Sequence, residues 1–257
     1  MADKYALQLS GYKALWNAID WVFPPKCVGC GAEGQQICPD CLQKIQYTSR
    51  NSCIYCGRSL PVRGICPRCR QHPPVYQEVR SLAGYEGVIH EIIINLKYKA
   101  DLGLSLAAAG MLANLVQAEN WQLDMVVPVP LSQKRVKERG YNQAAALAFP
   151  LSLLLKLPLR SKALIRIRDT KSQVHLNAAE RKENVQGAFL ADPLLVRGSR
   201  VLLVDDVYTT GATLNAAAEA LCSAGCSDVR VVTLAKALDH HKEVCHKEVE
   251  IATPNKV

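Results

Sequence analysis

Apolar and polar positions follow two different patterns along the chain, and the change falls near residue 75. In residues 5–22 the apolar positions recur at helical spacing. This spacing predicts an amphipathic helix, which ends before the Pro24-Pro25 pair. After residue 75, short apolar runs alternate with longer segments of helical periodicity.

The alternation after residue 75 predicts an α/β fold. Apolar runs with no polar alternation are typical of strands that are covered on both faces, as in parallel sheets. We therefore predict a mostly parallel sheet with helices on both faces. The predicted strands are 81–85, 125–129, 201–206 and 228–236, and the predicted helices are 88–98, 102–117, 141–156, 177–180 and 212–224.

Cysteine usage divides the same chain sharply. Eight of the eleven cysteines fall between Cys27 and Cys69. The N-terminal residues show no secretory signal, so we expect a cytoplasmic protein whose cysteines are thiols or metal ligands rather than disulfides. No apolar stretch is long and unbroken enough to predict a membrane span. The predicted organisation is a helix (1–26), a cysteine-rich segment (27–74), an α/β domain (75–239) and a polar tail (240–257).

The cysteine-rich segment is an internal repeat. Each half contains a CxxCG turn followed by a CPxC turn. Two residues between cysteines let one tight turn present both sulfurs to one ion, and four thiolates complete a closed tetrahedral zinc site. We predict two structural Zn²⁺ sites, one in each half, although an interleaved pairing would use the same residues. The predicted metal ligands are Cys27, Cys30, Cys38, Cys41, Cys53, Cys56, Cys66 and Cys69.

Charge narrows the choice of partner. The 257 residues carry a formal net charge of +8, which favours an anionic ligand, either a phosphorylated small molecule or a nucleic acid. Two segments account for this excess, since residues 134–139 hold four basic residues against one acidic, and residues 160–182 hold seven against two. Residues 50–70 contain five arginines and no acid, which fits a nucleic-acid footprint and a solvated surface equally well.

The strongest chemical signal is DDVYTTGAT at residues 205–213, which joins a predicted strand to a predicted helix. Such a turn directs backbone N–H groups and the positive end of a helix dipole at one point, so it predicts a phosphate site. Asp205 and Asp206 would repel that phosphate unless they bind sugar hydroxyls or a Mg²⁺ ion. The GxxxxGK[ST] pattern is absent, which argues against an ATPase.

This loop resembles the phosphoribosyl-pyrophosphate (PRPP) loop of type I phosphoribosyltransferases. Together with the cysteine repeat, LKYK (96–99), VVPVPL (126–131) and RGYNQA (139–144), it resembles the ComF family, which is associated with DNA uptake in natural competence. The resemblance implies a five-stranded parallel sheet with a double zinc ribbon at its N-terminus. It also implies a pyrophosphate loop at residues 131–140 and a mobile catalytic loop at roughly residues 166–184.

The resemblance implies two alternative functions. The first is a PRPP-binding phosphoribosyltransferase that uses Mg²⁺ and has an unknown acceptor. The second is a non-enzymatic competence factor that uses the fold as a scaffold to bind single-stranded DNA or competence proteins. Catalytic roles are expected for Asp205, Asp206, Arg168 and Lys171. PRPP binding is expected for Asp205, Asp206, Thr209, Thr210, Gly211, Ala212, Thr213, Arg135 and Arg139.

Overall fold

The computed structural model describes residues 2–99, 101–168 and 185–237. The predicted strand at 228–236 has the bounds that the sequence predicts, and the other predicted elements within these ranges differ by a few residues at their ends. The predicted short helix at 177–180 and the polar tail lie outside the described residues. In chain order the elements are α1 (Ala2–Val22), α2 (Pro39–Gln43), α3 (Pro67–Gln71), β1 (Glu78–Gly84), α4 (Gly87–Tyr98), α5 (Gly103–Ala118), β2 (Met125–Pro128), α6 (Gln133–Arg139), α7 (Gln143–Leu155), β3 (Leu164–Arg166), β4 (Phe189–Ala191), α8 (Pro193–Val196), β5 (Arg200–Tyr208), α9 (Ala212–Ser223) and β6 (Asp228–Lys236).

A four-stranded parallel sheet in the order β1-β6-β5-β2 forms the centre of the molecule. Side chains of β5 alternate between its two faces. Leu202 and Val204 pack into one hydrophobic cluster with α4, α5 and α7, whereas Val201 and Leu203 pack into another with α9, β3 and β4. Both faces of the sheet are therefore buried, as the unbroken apolar runs predict, and the prediction of helices on both faces is confirmed.

The expectation of five strands is wrong for the described residues. At the β2 edge, the described part of the chain adds only a bridge between Leu159 and Val126. The Val126 N–H donates to the Pro158 carbonyl (3.0 Å), and the Arg160 N–H donates to the Val126 carbonyl (2.9 Å). Pro158 has no N–H of its own, so this ladder cannot extend on the N-terminal side of the bridge. The short strands β3 and β4 form a separate antiparallel pair.

The N-terminal helix α1 packs on the α/β domain through one side. The Tyr12 ring meets the Phe149 ring edge-on at 5.2 Å, and the Tyr12 hydroxyl lies 3.3 Å from that of Ser105. Leu7 and Trp21 remain exposed. Among the described helices, none combines the length and the apolar character that crossing a bilayer requires.

The segment between the two halves of the cysteine repeat, after Cys41 and before Cys53, covers the outer edge of the sheet. Residues 46–48 run beside β1, where the Gly84 N–H donates to the Gln46 carbonyl (3.2 Å) and the Thr48 N–H donates to the Leu82 carbonyl (3.0 Å). An unpaired edge strand would expose a row of backbone donors and acceptors. The cysteine-rich region therefore completes the sheet at the β1 side.

Candidate phosphosugar and zinc sites

The loop that follows β5 has the geometry of a phosphate cradle. Gly211 has a φ of +79° and caps the N-terminus of α9, whose first amides lack partners within the helix. A Cβ added at Gly211 would lie 2.6 Å from the Tyr208 hydroxyl, so the position needs glycine for both its backbone angle and its space. The positive end of the α9 dipole therefore faces this bend.

The two carboxylates at the end of β5 have different environments. Asp206 is buried, and its Oδ2 lies 2.5 Å from Nζ of Lys97 on α4. Burial alone would raise the pKa of Asp206, but the Lys97 ammonium outweighs it and lowers that pKa. Burial and the neighbouring Asp206 charge raise the pKa of Asp205 well above its usual range. The two carboxylates thus share one ammonium, and Lys97 pairs with Asp206. The ionised form of Asp205 would therefore be stabilised by a bound cation or by a hydroxyl donor.

A cleft at the carboxyl ends of β2 and β5 joins these groups. Its volume is about 170 Å³. This is less than the ~300–1,000 Å³ of typical ligand pockets, so a phosphosugar would lie partly in its open mouth. We call it the carboxylate cleft. It is lined by Lys97, Val129, Pro130, Leu131, Ser132, Arg135, Gln143, Arg166, Asp205, Asp206, Val207, Thr209, Gly211, Thr213 and Leu214.

The basic wall of the carboxylate cleft begins where the predicted pyrophosphate loop lies. Ser132 caps α6, with its Oγ accepting from the Arg135 N–H at 3.4 Å, and this places the Arg135 side chain in the cleft lining. Asn142 caps α7 and also donates to the Val129 carbonyl at 2.9 Å. The RGYNQA segment therefore holds the backbone after β2 in place.

The structure brings together six of the nine residues predicted to bind PRPP. Asp205, Asp206, Arg135, Thr209, Gly211 and Thr213 all line the carboxylate cleft. Thr210 and Ala212 line a different cavity, on the other side of the loop. Arg139 lies at the end of α6, where its guanidinium stacks over the Tyr98 ring at 5.2 Å and donates to Gln143 Oε1 at 2.7 Å.

Of the predicted mobile loop at residues 166–184, only residues 166–168 are described. Arg168 is exposed and donates to the Gln186 carbonyl at 2.6 Å. Arg166, on β3, reaches the lining of the carboxylate cleft. Lys171 lies outside the described residues.

Two cleft residues were missed as site residues by the sequence analysis. Lys97 lies in the LKYK motif, but nothing local indicates that its ammonium pairs with Asp206. Gln143 lies in RGYNQA, and its side chain is buried at the cleft wall. The two motifs identify the segments that contain these residues. Which side chains reach the cleft depends on how α4 and α7 pack.

The eight clustered cysteines form two groups in the order of the chain. The ligand atoms of each group lie within 4.8 Å of one another: Cys27, Cys30, Cys38 and Cys41 in one, Cys53, Cys56, Cys66 and Cys69 in the other. The prediction of one site in each half is confirmed, and the interleaved pairing is excluded.

The sulfur geometry fits zinc. The Sγ atoms of Cys30 and Cys38 are 3.7 Å apart, and those of Cys56 and Cys66 are 3.8 Å apart. Four sulfurs at ~2.3 Å from a tetrahedral Zn²⁺ are about 3.8 Å from each other. None of the ten described cysteines forms a disulfide. Four thiolates leave no open coordination position, so both zinc sites are structural.

Two family models match the chain. A double zinc ribbon domain matches residues 18–70, and a phosphoribosyl transferase domain matches residues 104–256. The chain is therefore a phosphoribosyltransferase-type domain joined to a double zinc ribbon.

The matches to known relatives span most of this chain and most of each relative. DNA utilization protein YhgH of Salmonella typhimurium is 34% identical over 212 residues, which are 79% of this chain and 91% of the relative. Competence protein F of Haemophilus influenzae is 31% identical (78% and 90%), and Competence protein ComFC of Bacillus subtilis is 28% identical (74% and 80%). The chain belongs to the ComF family.

Solved structures give a weaker likeness. The glutamine PRPP amidotransferase of B. subtilis is 20% identical over 55% of this chain and 30% of its own, with a TM-score of 0.39. A purine phosphoribosyltransferase from Pyrococcus horikoshii is also 20% identical, over 52% of this chain and 73% of its own, with a TM-score of 0.32.

Proposed function

We propose that the carboxylate cleft binds PRPP together with Mg²⁺. One observation carries this proposal: a hydroxyl-lined helix N-terminus, a carboxylate pair and a basic wall converge on one cleft. A phosphosugar that also carries pyrophosphate needs these three kinds of group, since it presents a phosphate, two ribose hydroxyls and a second, more strongly charged anion.

Each wall of the cleft has a role in this proposal. Thr209, Gly211 and Thr213 hold the 5′-phosphate through hydroxyls and α9 amides, because a helix N-terminus stabilises a bound anion. Asp205 and Asp206 accept hydrogen bonds from the ribose hydroxyls. Lys97 keeps Asp206 ionised for this purpose, since its charge lowers the pKa of that carboxyl.

In the same proposal, the pyrophosphate is held by the basic wall of the cleft and by the metal. Arg135, projecting from the segment after β2, binds the pyrophosphate oxygens, because guanidinium pairs with phosphate in a bidentate manner. Mg²⁺ prefers carboxylate and phosphate oxygens, and Asp205 is a cleft-lining carboxylate that lacks a full counter-charge. Bound there, the ion would neutralise charge that builds on a departing pyrophosphate.

Calorimetric titration with PRPP and Mg²⁺ tests the proposal. We expect Asp205→Asn/Asp206→Asn to weaken binding at least ~tenfold, because a hydrogen bond to a charged group contributes ~1.5–3 kcal/mol. The matched control is Asp192→Asn, an exposed carboxylate that caps α8 and does not line the carboxylate cleft. Equal affinity in all three proteins, or no binding to the wild type, contradicts the proposal.

A second function is favoured by the second zinc ribbon and by the relatives' names, which refer to DNA utilization and competence. Four of its neighbouring arginines are exposed: Arg50, Arg58, Arg68 and Arg70. Here we propose that single-stranded DNA binds this ribbon by its phosphates, beside other competence proteins in the reducing cytoplasm. Affinity should then fall steeply with salt, because phosphate contacts release counterions. No binding at low salt contradicts it.

A further inference from the structure

A second and larger cavity lies on the other side of the PRPP-type loop. Its volume is about 480 Å³, within the ~300–1,000 Å³ typical of small-molecule sites. We call it the ribbon cavity, because the second zinc ribbon forms one wall and the loop with α9 forms the other. It is lined by Tyr55, Cys56, Arg58, Arg68, Cys69, His72, Pro73, Pro74, Tyr76, Val185, Gln186, Tyr208, Thr209, Thr210, Gly211, Ala212, Asn215, Ala216, Glu219 and Lys236.

The ribbon cavity is distinct from the carboxylate cleft in chemistry. Thr209 and Gly211 line both, but Asp205, Asp206 and Arg135 line only the cleft. A ligand in the ribbon cavity therefore lacks the carboxylates that would hold a ribose of PRPP. Ligand binding in the ribbon cavity does not require PRPP binding.

Hydrogen bonds fix the walls of the ribbon cavity to each other. The Tyr76 hydroxyl donates to the Tyr55 carbonyl at 2.8 Å and lies 3.4 Å from the Tyr208 hydroxyl. The Val75 N–H donates to Asn215 Oδ1 at 2.8 Å. These contacts connect the ribbon to both β5 and α9, so the cavity has a preformed shape, which reduces the ordering cost of binding.

The lining of the cavity is aromatic and cationic. Three tyrosines and a histidine supply flat rings, while Arg58, Arg68 and Lys236 supply positive charge. The acid in the lining, Glu219, accepts a hydrogen bond from Asn215 Nδ2 at 2.7 Å. Rings bind planar groups face-on or edge-on, and arginines bind phosphate as well as stacking on bases.

We propose that the ribbon cavity binds a mononucleotide, with the base among the tyrosines and the phosphate at Arg58 and Arg68. Volume, rings and charge each match one part of such a ligand. A small neutral aromatic carries no anionic group for Arg58 and Arg68 to bind, and an inorganic anion would leave most of the volume empty.

The test is calorimetry of the zinc-loaded full chain with the 5′-monophosphates of adenosine, guanosine, cytidine and uridine as probes. We expect at least one to bind the wild type and Arg58→Ala/Arg68→Ala to weaken it at least ~tenfold. Arg50→Ala/Arg70→Ala removes the same charge from the same ribbon but leaves the cavity lining intact, so it should retain wild-type affinity. Two zinc ions in each variant confirm that the ribbon is folded.

The carboxylate variant separates the two sites. Asp205→Asn/Asp206→Asn should keep nucleotide affinity, since neither carboxylate lines the ribbon cavity. Loss of nucleotide binding there, with binding kept in Arg58→Ala/Arg68→Ala, would place the nucleotide in the carboxylate cleft and overturn the inference. Equal loss in both arginine pairs would indicate diffuse electrostatic attraction and overturn it as well, as would no binding by any probe. Failure of PRPP to bind bears only on the proposed function.

Discussion

The two zinc ribbons share one sequence pattern but are attached to the α/β domain by different forces. In the first, Cys27, Ile37, Cys41 and Ile45 belong to the same hydrophobic cluster as β1 and α4. In the second, Cys53, Cys66 and Cys69 form a small cluster of their own. The first ribbon is thus part of the main core, whereas the second is a module docked on it.

Ion pairs to buried carboxylates hold the second ribbon. Arg63, from the ribbon, pairs with Glu78 and with Glu119 (2.7 Å), and Glu119 also pairs with Arg80 at 2.8 Å. The side chains of Glu119 and Arg80 are 2% and 4% exposed. Arg80 also donates to Ser52 Oγ at 2.9 Å. The same zinc module can therefore join the α/β domain by apolar packing, as the first ribbon does, or by ion pairs, as the second does. The second ribbon also forms one wall of the ribbon cavity.

Zinc removal should have the largest effect on both ribbons. We expect two zinc ions per freshly purified reduced chain, and we expect chelation to unfold the first 75 residues. Structural zinc contributes apparent folding energy of ~10–16 kcal/mol per site. Metal analysis and limited proteolysis before and after chelation, with zinc added back as the control, would check this. Zinc-free protein with an intact protease-resistant N-terminal region contradicts it.

Glu119→Gln probes the docked ribbon. The substitution leaves the buried Arg80 guanidinium without its carboxylate partner, and breaking a buried pair in this way costs ~3–5 kcal/mol. Urea unfolding should show this loss, while the exposed Glu138→Gln should leave stability nearly unchanged. A loss no larger than that of the control would mean that charge does not attach this ribbon.

Ile45→Ala and Ile65→Ala compare how much apolar packing stabilises the first ribbon and the second. Ile45 lies in the main core, so truncation should destabilise the whole domain by ~2–4 kcal/mol. Ile65 is partly buried against the small cluster of the second ribbon, so its truncation should cost less. Equal losses in urea unfolding would remove the distinction between an integrated ribbon and a docked one.

The ion pair between Asp124 and Arg200 should have the smallest effect on stability among these variants. Hydrogen bonds from Arg200 lower the pKa of Asp124 to about 2. Because the folded pKa lies below the unfolded value of 3.8, the pair contributes stability above pH 3.8, and this is lost as the pH falls through 2. Asp124→Asn should lower the urea midpoint slightly at pH 7, less than the other variants do, and the difference should vanish near pH 2. A constant difference across this range would exclude the pair as its cause.

The sequence predicts well what local spacing determines. The cysteine turns give both zinc sites, because each ligand pair lies within one turn. The unbroken apolar runs give the parallel sheet, and the strand at 228–236 has the bounds that the pattern predicts. The prediction of a fifth strand is wrong for the described residues, where one bridge takes its place and Pro158 prevents extension on its N-terminal side.

The sequence does not predict what packing determines. Lys97 and Asp206 meet only because α4 lies against the end of β5. The loop hydroxyls are divided between two cavities, with Thr213 in one and Thr210 in the other, and this division depends on where the second ribbon docks. Likewise, only the folded chain shows which arginine of residues 50–70 pairs with the buried carboxylate of Glu119, namely Arg63.

The central claim is that the bend at Gly211 holds the 5′-phosphate of PRPP. A ³¹P NMR titration of PRPP and Mg²⁺ tests it most directly with Gly211→Ala, whose Cβ would meet the Tyr208 hydroxyl, and Gly198→Ala, which has a similar φ of +71° but open space around it. The account predicts that the 5′-phosphate resonance shifts with wild type and Gly198→Ala and stays at its free position with Gly211→Ala. An unchanged shift with Gly211→Ala would contradict it.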